Sequence, residues 1–166
     1  INKIRPNTVT GFNAKIKSEI PIGIGISSSA ALTCGLTSGL NKLFNLKFSK
    51  FQIINISRNA EHNFVGVKCG YLDQFAILRS KKNNFLHLNC NNFKISYYPV
   101  NLDGYEFLLL NSKVKHSLAY SEYNKRVTET KKGLNVIKKF YPKTTNLCSL
   151  SMNQIKSLKD KFLKKN

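Results

Sequence analysis

The sequence predicts a globular protein of the α+β class. Its 166 residues are 42% hydrophobic and include 11 Phe and 7 Tyr, which is enough apolar material for a core and excludes wholesale disorder. Stretches with helical spacing and short β-prone runs follow one another without the regular repeat of a parallel α/β sheet. No apolar run approaches the roughly 20 residues of a membrane span, and residues 1–10 lack the apolar region of a secretory signal. We therefore expect a cytoplasmic protein that does not enter a membrane.

The N-terminal part is expected to hold an extended segment followed by a helix. The segment Ala14–Ile26 is β-like and runs into a Gly-rich turn. The following stretch, Ser27–Leu46, carries Leu at helical spacing and predicts a helix. Gly35 and Gly39 lie four residues apart inside it, which predicts a closely packed neighbour on that face.

A second helix and a hairpin are predicted next. Ser49 is a good N-cap, and Gly66 is a plausible end for the helix that follows it. The β-prone runs Phe85–Cys90 and Lys94–Tyr98 are joined by Asn91-Asn92, which tolerate positive φ. This pattern predicts a β-hairpin.

The C-terminal part is predicted to begin with a strand and to continue with helices. Phe107–Asn111 is wholly apolar in its first four residues, which predicts a strand buried on both faces. A long helix is predicted from about Ser117 to Phe140, and a last one begins at the capping box Ser151 to Gln154. A weak domain boundary is predicted near Pro99 to Gly104.

The formal charge of +19, from 27 basic and 8 acidic residues, raises the alternative of a basic nucleic-acid-binding module. The basic residues are scattered singly or in pairs, and only four of them are Arg, the preferred reader of bases and phosphates. The charge therefore favours a solvated surface over a polyanion partner. The four Cys and three His are likewise dispersed, so no zinc site is predicted.

The sharpest local motif is Pro21 to Ala31, PIGIGISSSAA, which opens a helix. Gly23 and Gly25 let the backbone approach a ligand closely, and serines at a helix N-terminus favour an anion. The motif lacks the Lys of a Walker A loop and the third Gly of a Rossmann fingerprint. It indicates a phosphate-binding turn, with a plain helix-capping turn as the alternative.

Two carboxylates complete the chemistry that the residues alone indicate. Glu61 lies late in the second predicted helix, and Asp73 follows Gly66 and Gly70. A carboxylate beside a serine hydroxyl suits Mg²⁺, and a second carboxylate could accept a proton from an attacking hydroxyl. For either residue alone, a solvated surface acid is the alternative.

Three segments together resemble the galactokinases of the GHMP family of small-molecule kinases. They are PIGIGISSSAA at 21–31, AEHNFVGVKCGYLDQFA at 60–76 and NSKVKHSLAYSEYNKR at 111–126. The first is shared across the family, whereas the second and third are specific to galactokinases. The resemblance implies a GHMP kinase fold, incomplete here, with a ribosomal protein S5 domain 2-like N-terminal part at 1–100 and the start of a C-terminal α+β domain at 101–166.

The resemblance also implies roles for particular residues. ATP phosphates would be wrapped by Gly23, Ile24, Gly25, Ile26, Ser27, Ser28 and Ser29. Ser29 and Glu61 would arrange the Mg²⁺ ion, and Asp73 would be the base that faces the sugar's 1-hydroxyl. Gly70 and Tyr123 would contact galactose, whereas Glu122 and Arg126 are expected to serve the structure of their helix.

The implied reaction is transfer of the γ-phosphoryl group of ATP to the 1-hydroxyl of α-D-galactose, by a protein expected to be a monomer. A kinase for N-acetylgalactosamine, or an inactive galactokinase-like sensor, is the alternative. The family's N-terminal sugar signature, with its upstream catalytic arginine, and its late Gly-rich motif have no counterpart here. We therefore expect a fragment with incomplete sugar selectivity.

Overall fold

The computed structural model describes residues 1–111, 113 and 122–163, with side chains described as far as residue 159. The chain divides into two compact units, Ile1–Ser121 and Glu122–Asn166. The domain boundary near Pro99 to Gly104 stays a prediction. The fold class is confirmed, because helices and a small antiparallel sheet occur together as an α+β arrangement.

Three helices form the framework of the first unit. They are α1 (Ser28–Leu43), α2 (Lys50–Ala60) and α3 (Leu72–Arg79), and α1 packs against both of the others. The Ser57 hydroxyl donates to the Thr37 hydroxyl at 3.4 Å, where both residues are buried between α1 and α2. A core cluster of Leu46, Phe48 and Ile53 lies at the turn between these two helices.

The start of α2 follows its sequence signal. The Ser49 hydroxyl accepts from the Gln52 N–H at 3.3 Å, and the Gln52 side-chain oxygen accepts from the Ser49 N–H at 2.8 Å. This reciprocal pair is a capping box and fixes the first residue of the helix. The predicted end at Gly66 is also confirmed, with φ at +81°. A π-helical turn, Glu61–Val65, lies between the end of α2 at Ala60 and Gly66, and the sequence pattern does not indicate it.

The hairpin is confirmed, with strands β1 (Asn84–Leu88) and β2 (Ile95–Pro99) antiparallel and Leu88 opposite Ile95. The positive φ in its connection falls at Phe93, at +58°, and not at Asn91 or Asn92. The ring of Phe93 stacks on Phe75 at 5.6 Å between centroids. The residue with the left-handed conformation is thus also one whose ring is held by aromatic packing.

The strand predicted at Phe107–Asn111 is wrong. These residues form no regular element, and Phe107 and Leu110 are 75% and 82% exposed. A strand is stabilised by a hydrogen-bonded neighbour, and the sheet in the described part of the chain contains β1 and β2 alone. The neighbour expected beside Gly35 and Gly39 is likewise missing, because no described atom lies within 4 Å of a Cβ placed at either.

The second unit contains helices α4 (Glu122–Lys138) and α5 (Met152–Leu163), with a short 3-10 turn at Leu147–Ser149 between them. The predicted start of α4 at Ser117 lies outside the described residues. The predicted capping box of α5 is confirmed, since the Gln154 N–H donates to the Ser151 hydroxyl at 3.3 Å and the Ser151 N–H to Gln154 Oε1 at 2.8 Å. Within the described residues, no helix is both long and apolar enough to span a membrane.

Candidate functional site

The Gly-rich motif forms an exposed turn that leads directly into α1. Gly23 and Gly25 have φ of +77° and +81°, and Ser27 also takes a left-handed conformation at +62°. No described atom lies within 4 Å of a Cβ placed at either glycine, so the turn faces open space. Ser27 precedes the helix without a side-chain cap. Since the first N–H groups of a helix have no acceptor within it, this turn offers donors to an anion.

Glu61 contacts a hydroxyl on α1 that was not predicted as part of the site, that of Thr33. The Thr33 hydroxyl oxygen lies 3.3 Å from Glu61 Oε1, and it also lies 3.1 Å and 3.2 Å from the backbone carbonyl oxygens of Ser29 and Ala30 in its own helix. Thr33 follows Ser29 by four residues and therefore shares its face of α1. That spacing was the available signal, but it does not reveal that Glu61 approaches from another element.

Glu61 is a buried carboxylate, only 3% exposed. Thr33 is its hydrogen-bond donor, and among the described residues no Lys, Arg or His forms an ion pair with it. An anion taken out of water without a cationic partner is strongly unfavourable. The position is therefore suited to a bound cation.

Asp73 lies in the first turn of α3, where the helix dipole stabilises a negative charge. It is half-buried and is a neighbour of the Cys69 thiol. Burial raises the pKa of Cys69, and the charges of Glu61 and Asp73 add to that effect, whereas a hydrogen bond from Gln74 and the charge of Arg58 oppose it. The charges of both carboxylates thus influence the same thiol.

Gln74, beside Asp73, is a further polar residue that the sequence did not single out. It is 1% exposed, and its amide nitrogen donates to the Cys69 sulfur at 3.8 Å. Its Oε1 is buried without a hydrogen-bond partner among the described residues. Such an oxygen is an acceptor that a water or ligand could satisfy.

Tyr123 lies in the second unit, on the first turn of α4, and is 48% exposed. Its neighbours Glu122 and Arg126 form an ion pair at 3.6 Å, and Arg126 also pairs with Glu129 at 2.6 Å. These pairs lie along the helix surface, in agreement with the structural role expected for Glu122 and Arg126. The sugar contact of Tyr123 stays a prediction.

Across residues 1–111, 113 and 122–163, no three His, Cys, Asp or Glu side chains gather closely enough to hold a metal ion. Mg²⁺ does not need such a cage, because it is commonly held by one or two carboxylates together with substrate phosphates and water. A single buried carboxylate such as Glu61 is compatible with that mode of binding.

Comparison with known proteins points to one group. Residues 1–81 match the family model described as GHMP kinases N terminal domain. The chain is 46% identical over 125 residues to a galactokinase of Thermosipho africanus, covering 75% of this chain and 36% of that protein. It is 39% identical over 152 residues to a galactokinase of Clostridium tetani, covering 91% and 38%.

A solved structure agrees with these matches. The crystal structure of Lactococcus lactis galactokinase complexed with galactose superposes with a TM-score of 0.77 and 32% sequence identity. The match covers 86% of this chain and 36% of that one. The chain thus spans little more than a third of the length of these relatives.

Proposed function

We propose that the chain belongs to the GHMP kinase family and serves a galactokinase reaction, in which ATP phosphorylates the 1-hydroxyl of α-D-galactose. Residues 1–81 match the N-terminal domain of that family, and the chain is 39–46% identical to two galactokinases over most of its length. The observation that carries the proposal is the 3.3 Å contact between the Thr33 hydroxyl and Glu61 Oε1. It links the buried carboxylate to α1, the helix that the Gly-rich turn opens, and a metal-bound nucleotide needs a carboxylate near its phosphates.

The turn Gly23–Ser29 binds the phosphates of ATP. Its backbone N–H groups and the serine hydroxyls donate to phosphate oxygens, and the N-terminal end of α1 favours their negative charge. The left-handed φ values at Gly23 and Gly25 support this role, because backbone in that conformation turns sharply and lets its amides converge on an anion.

Ser29 and Glu61 are the residues that would hold Mg²⁺. The buried charge of Glu61, without an ion pair among the described residues, and the hard oxygen ligands on both side chains fit this ion. When bound, the ion supplies neutralisation of the negative charge on the phosphates. Ser29 and Glu61 then orient the nucleotide on the protein.

Asp73 accepts the proton of the sugar's 1-hydroxyl. The hydroxyl oxygen forms a bond to the γ-phosphorus, the bond from that phosphorus to the bridging oxygen breaks, and ADP leaves with the electron pair. Gly70 lies beside the sugar, and Tyr123 is proposed as a further sugar contact. Such a reaction asks the protein for positioning and charge neutralisation more than for covalent chemistry.

We further propose a monomeric, cytoplasmic enzyme whose partners are galactose and ATP and not nucleic acid. The scattered distribution of the 27 basic residues, of which four are Arg, supports this assignment. Steeply salt-dependent binding of duplex DNA would contradict it.

The test is to incubate the full-length protein with ATP and Mg²⁺ and to measure galactose 1-phosphate by mass spectrometry. Galactose and N-acetylgalactosamine are offered separately as acceptors. Formation of galactose 1-phosphate supports the proposal, whereas phosphorylation of N-acetylgalactosamine alone replaces it with the related kinase. Sugar binding without ADP release identifies a sensor and contradicts the kinase reaction.

A further inference from the structure

The carbonyl oxygen of Cys69 is held by two side chains at once. Arg58 Nε donates to it at 3.2 Å, and His62 Nε2 lies 2.8 Å from it. Because a carbonyl can only accept, His62 must carry its ring hydrogen on Nε2. Arg58 lies in the last turn of α2 and His62 in the π-helical turn that follows, so one continuous helical segment fixes this single carbonyl.

The same arginine also contacts the residue that leads into α3. Its guanidinium lies over the ring of Tyr71, 4.3 Å from the centroid. This cation–π contact adds to the two hydrogen bonds. Tyr71 immediately precedes α3, whose first turn contains Asp73. We name these contacts of Arg58 and His62 with Cys69 and Tyr71 the Cys69 brace. They hold the residues on both sides of Gly70.

The other side of Tyr71 is also fixed. Its ring packs against Phe93 with centroids 4.8 Å apart, and against Phe75 at 6.4 Å. Phe93 belongs to the connection of the hairpin, so Tyr71 lies between Arg58 and an aromatic cluster. The peptide from Cys69 to Tyr71 is thus held by hydrogen bonds at one end and by ring packing at the other.

We propose that Arg58 and His62 are positioning residues for the sugar-binding half of the site. This inference rests on the proposed function, in which Gly70 and Asp73 serve the acceptor sugar. The brace fixes the position and orientation of Gly70 and of the backbone that leads into α3. It thereby determines where the Asp73 carboxylate lies. Neither Arg58 nor His62 forms a hydrogen bond or ring contact with the phosphate-binding turn Gly23–Ser29 in the described part of the chain.

Loss of the brace should therefore affect the kinetics with galactose and with ATP differently. A small displacement of a catalytic group can cost up to about 10²-fold in rate. Weakening the brace should lower kcat and raise the KM for galactose, while the KM for ATP stays within about twofold of the wild type. If the role of the brace were purely structural, its loss would lower the amount of folded protein without changing the KM for galactose relative to the KM for ATP.

The experiment compares Arg58→Met with Arg79→Met in the full-length protein. Arg79 is a half-buried arginine on α3, and its guanidinium makes no hydrogen bond or ion pair with other described residues. We expect Arg58→Met to lower kcat about 10- to 100-fold and Arg79→Met to leave it near the wild type. His62→Leu should act in the same direction, and His62→Gln, which keeps a donor for the carbonyl, should restore most of the rate.

Amide hydrogen exchange of Phe75, whose N–H donates to the Tyr71 carbonyl at 3.0 Å, provides a readout that does not depend on the reaction. Loss of the brace should make exchange there about tenfold faster, with α1 unchanged. If the wild type phosphorylates no galactose, the proposed function fails, and exchange alone decides the brace. If Arg58→Met does not fold, the His62→Leu and His62→Gln pair provides the same comparison.

Three results would overturn the inference. One is an equal loss of kcat in Arg58→Met and Arg79→Met. Another is a rise in the KM for ATP that matches the rise for galactose. The third is unchanged exchange of the Phe75 amide in both Arg58→Met and His62→Leu.

Discussion

Thr33 on α1 and Glu61 at the end of α2 are joined by a hydrogen bond of 3.3 Å between the threonine hydroxyl and Oε1 of the buried carboxylate. The two residues are 28 positions apart in sequence. The contact links the second turn of α1 to the charge that Mg²⁺ would neutralise, and it can be removed with little change in side-chain volume.

Thr33→Val should weaken both folding and metal binding. Valine has nearly the shape of threonine but offers no donor, so the buried carboxylate loses its hydrogen bond. We expect the free energy of unfolding to fall by about 1–3 kcal/mol and the Mg²⁺ concentration for half-maximal rate to rise. Urea unfolding and a Mg²⁺ titration of the rate measure the two effects. Thr33→Ser is the control, and equal behaviour of the two variants would contradict the role of the hydroxyl.

Asp73→Asn should remove phosphoryl transfer while the nucleotide still binds. An amide cannot accept the sugar proton, and loss of a general base typically costs about 10²- to 10⁴-fold in rate. The rate of ADP formation and the Kd for ATP measure the two properties. Asp103→Asn, in the turn before the apolar run, is the matched control. Near-normal turnover by Asp73→Asn would exclude this carboxylate as the base.

Replacement of Phe93 by glycine should be no more destabilising than its replacement by alanine. Its φ of +58° is strained for a residue with a Cβ, by about 1–2 kcal/mol, but costs glycine little. Both Phe93→Ala and Phe93→Gly lose the aromatic contacts, and we expect the glycine variant to be at least as stable. At Phe85, inside β1, glycine should be the less stable of the same two substitutions. Thermal unfolding of the four variants measures this, and the same order at both positions would rule out strain at Phe93.

Alkaline pH should destabilise the first unit through Cys34. Burial raises the pKa of this thiol, a hydrogen bond with Ser57 opposes that shift, and the charge of Glu61 adds to it. Because the folded-state pKa is raised, the protonated thiol contributes stability below the unfolded-state pKa. That contribution is lost as the pH rises through the folded-state value.

Urea unfolding from about pH 8 to pH 10.5 should therefore show a fall in stability that is shallower in Cys34→Ala. Cys90→Ala removes an exposed thiol and is the control. Identical pH profiles for Cys34→Ala and the wild type would show that this thiol is not responsible.

Local signals were enough for much of the fold. Ser49 with Gln52, and Ser151 with Gln154, each form the capping box that their spacing indicates. These interactions span three residues, so they are set by the local sequence. The hairpin is local in the same sense, because its strands are joined by a short connection.

Other elements depend on partners distant in sequence. The apolar run at 107–110 has the composition of a buried strand, but burial requires a neighbouring strand that composition cannot supply. The short helix α3 begins at Leu72, and its N-cap residue Tyr71 provides no side-chain cap, so the helix has no N-terminal sequence signal. It is held by packing against α1 and α2.

The candidate site divides in the same way. The sequence indicates Gly23–Ser29, Glu61 and Asp73 because these residue types carry the chemistry. Thr33, Arg58 and His62 were not predicted as site residues, because their roles arise from contacts across the fold. Residues that position other residues have no distinctive type or spacing in the sequence by which they could be recognised.

The π-helical turn Glu61–Val65 makes the spacing of this region as important as its chemistry. A π turn accommodates one residue more than an α-helical turn, and here it separates the buried Glu61 from the loop that the brace holds. Asn63 and Phe64 in this turn are exposed. A deletion of even one of them would shift the register of Glu61 relative to Cys69, so protein engineering of this region should substitute residues and keep the chain length fixed.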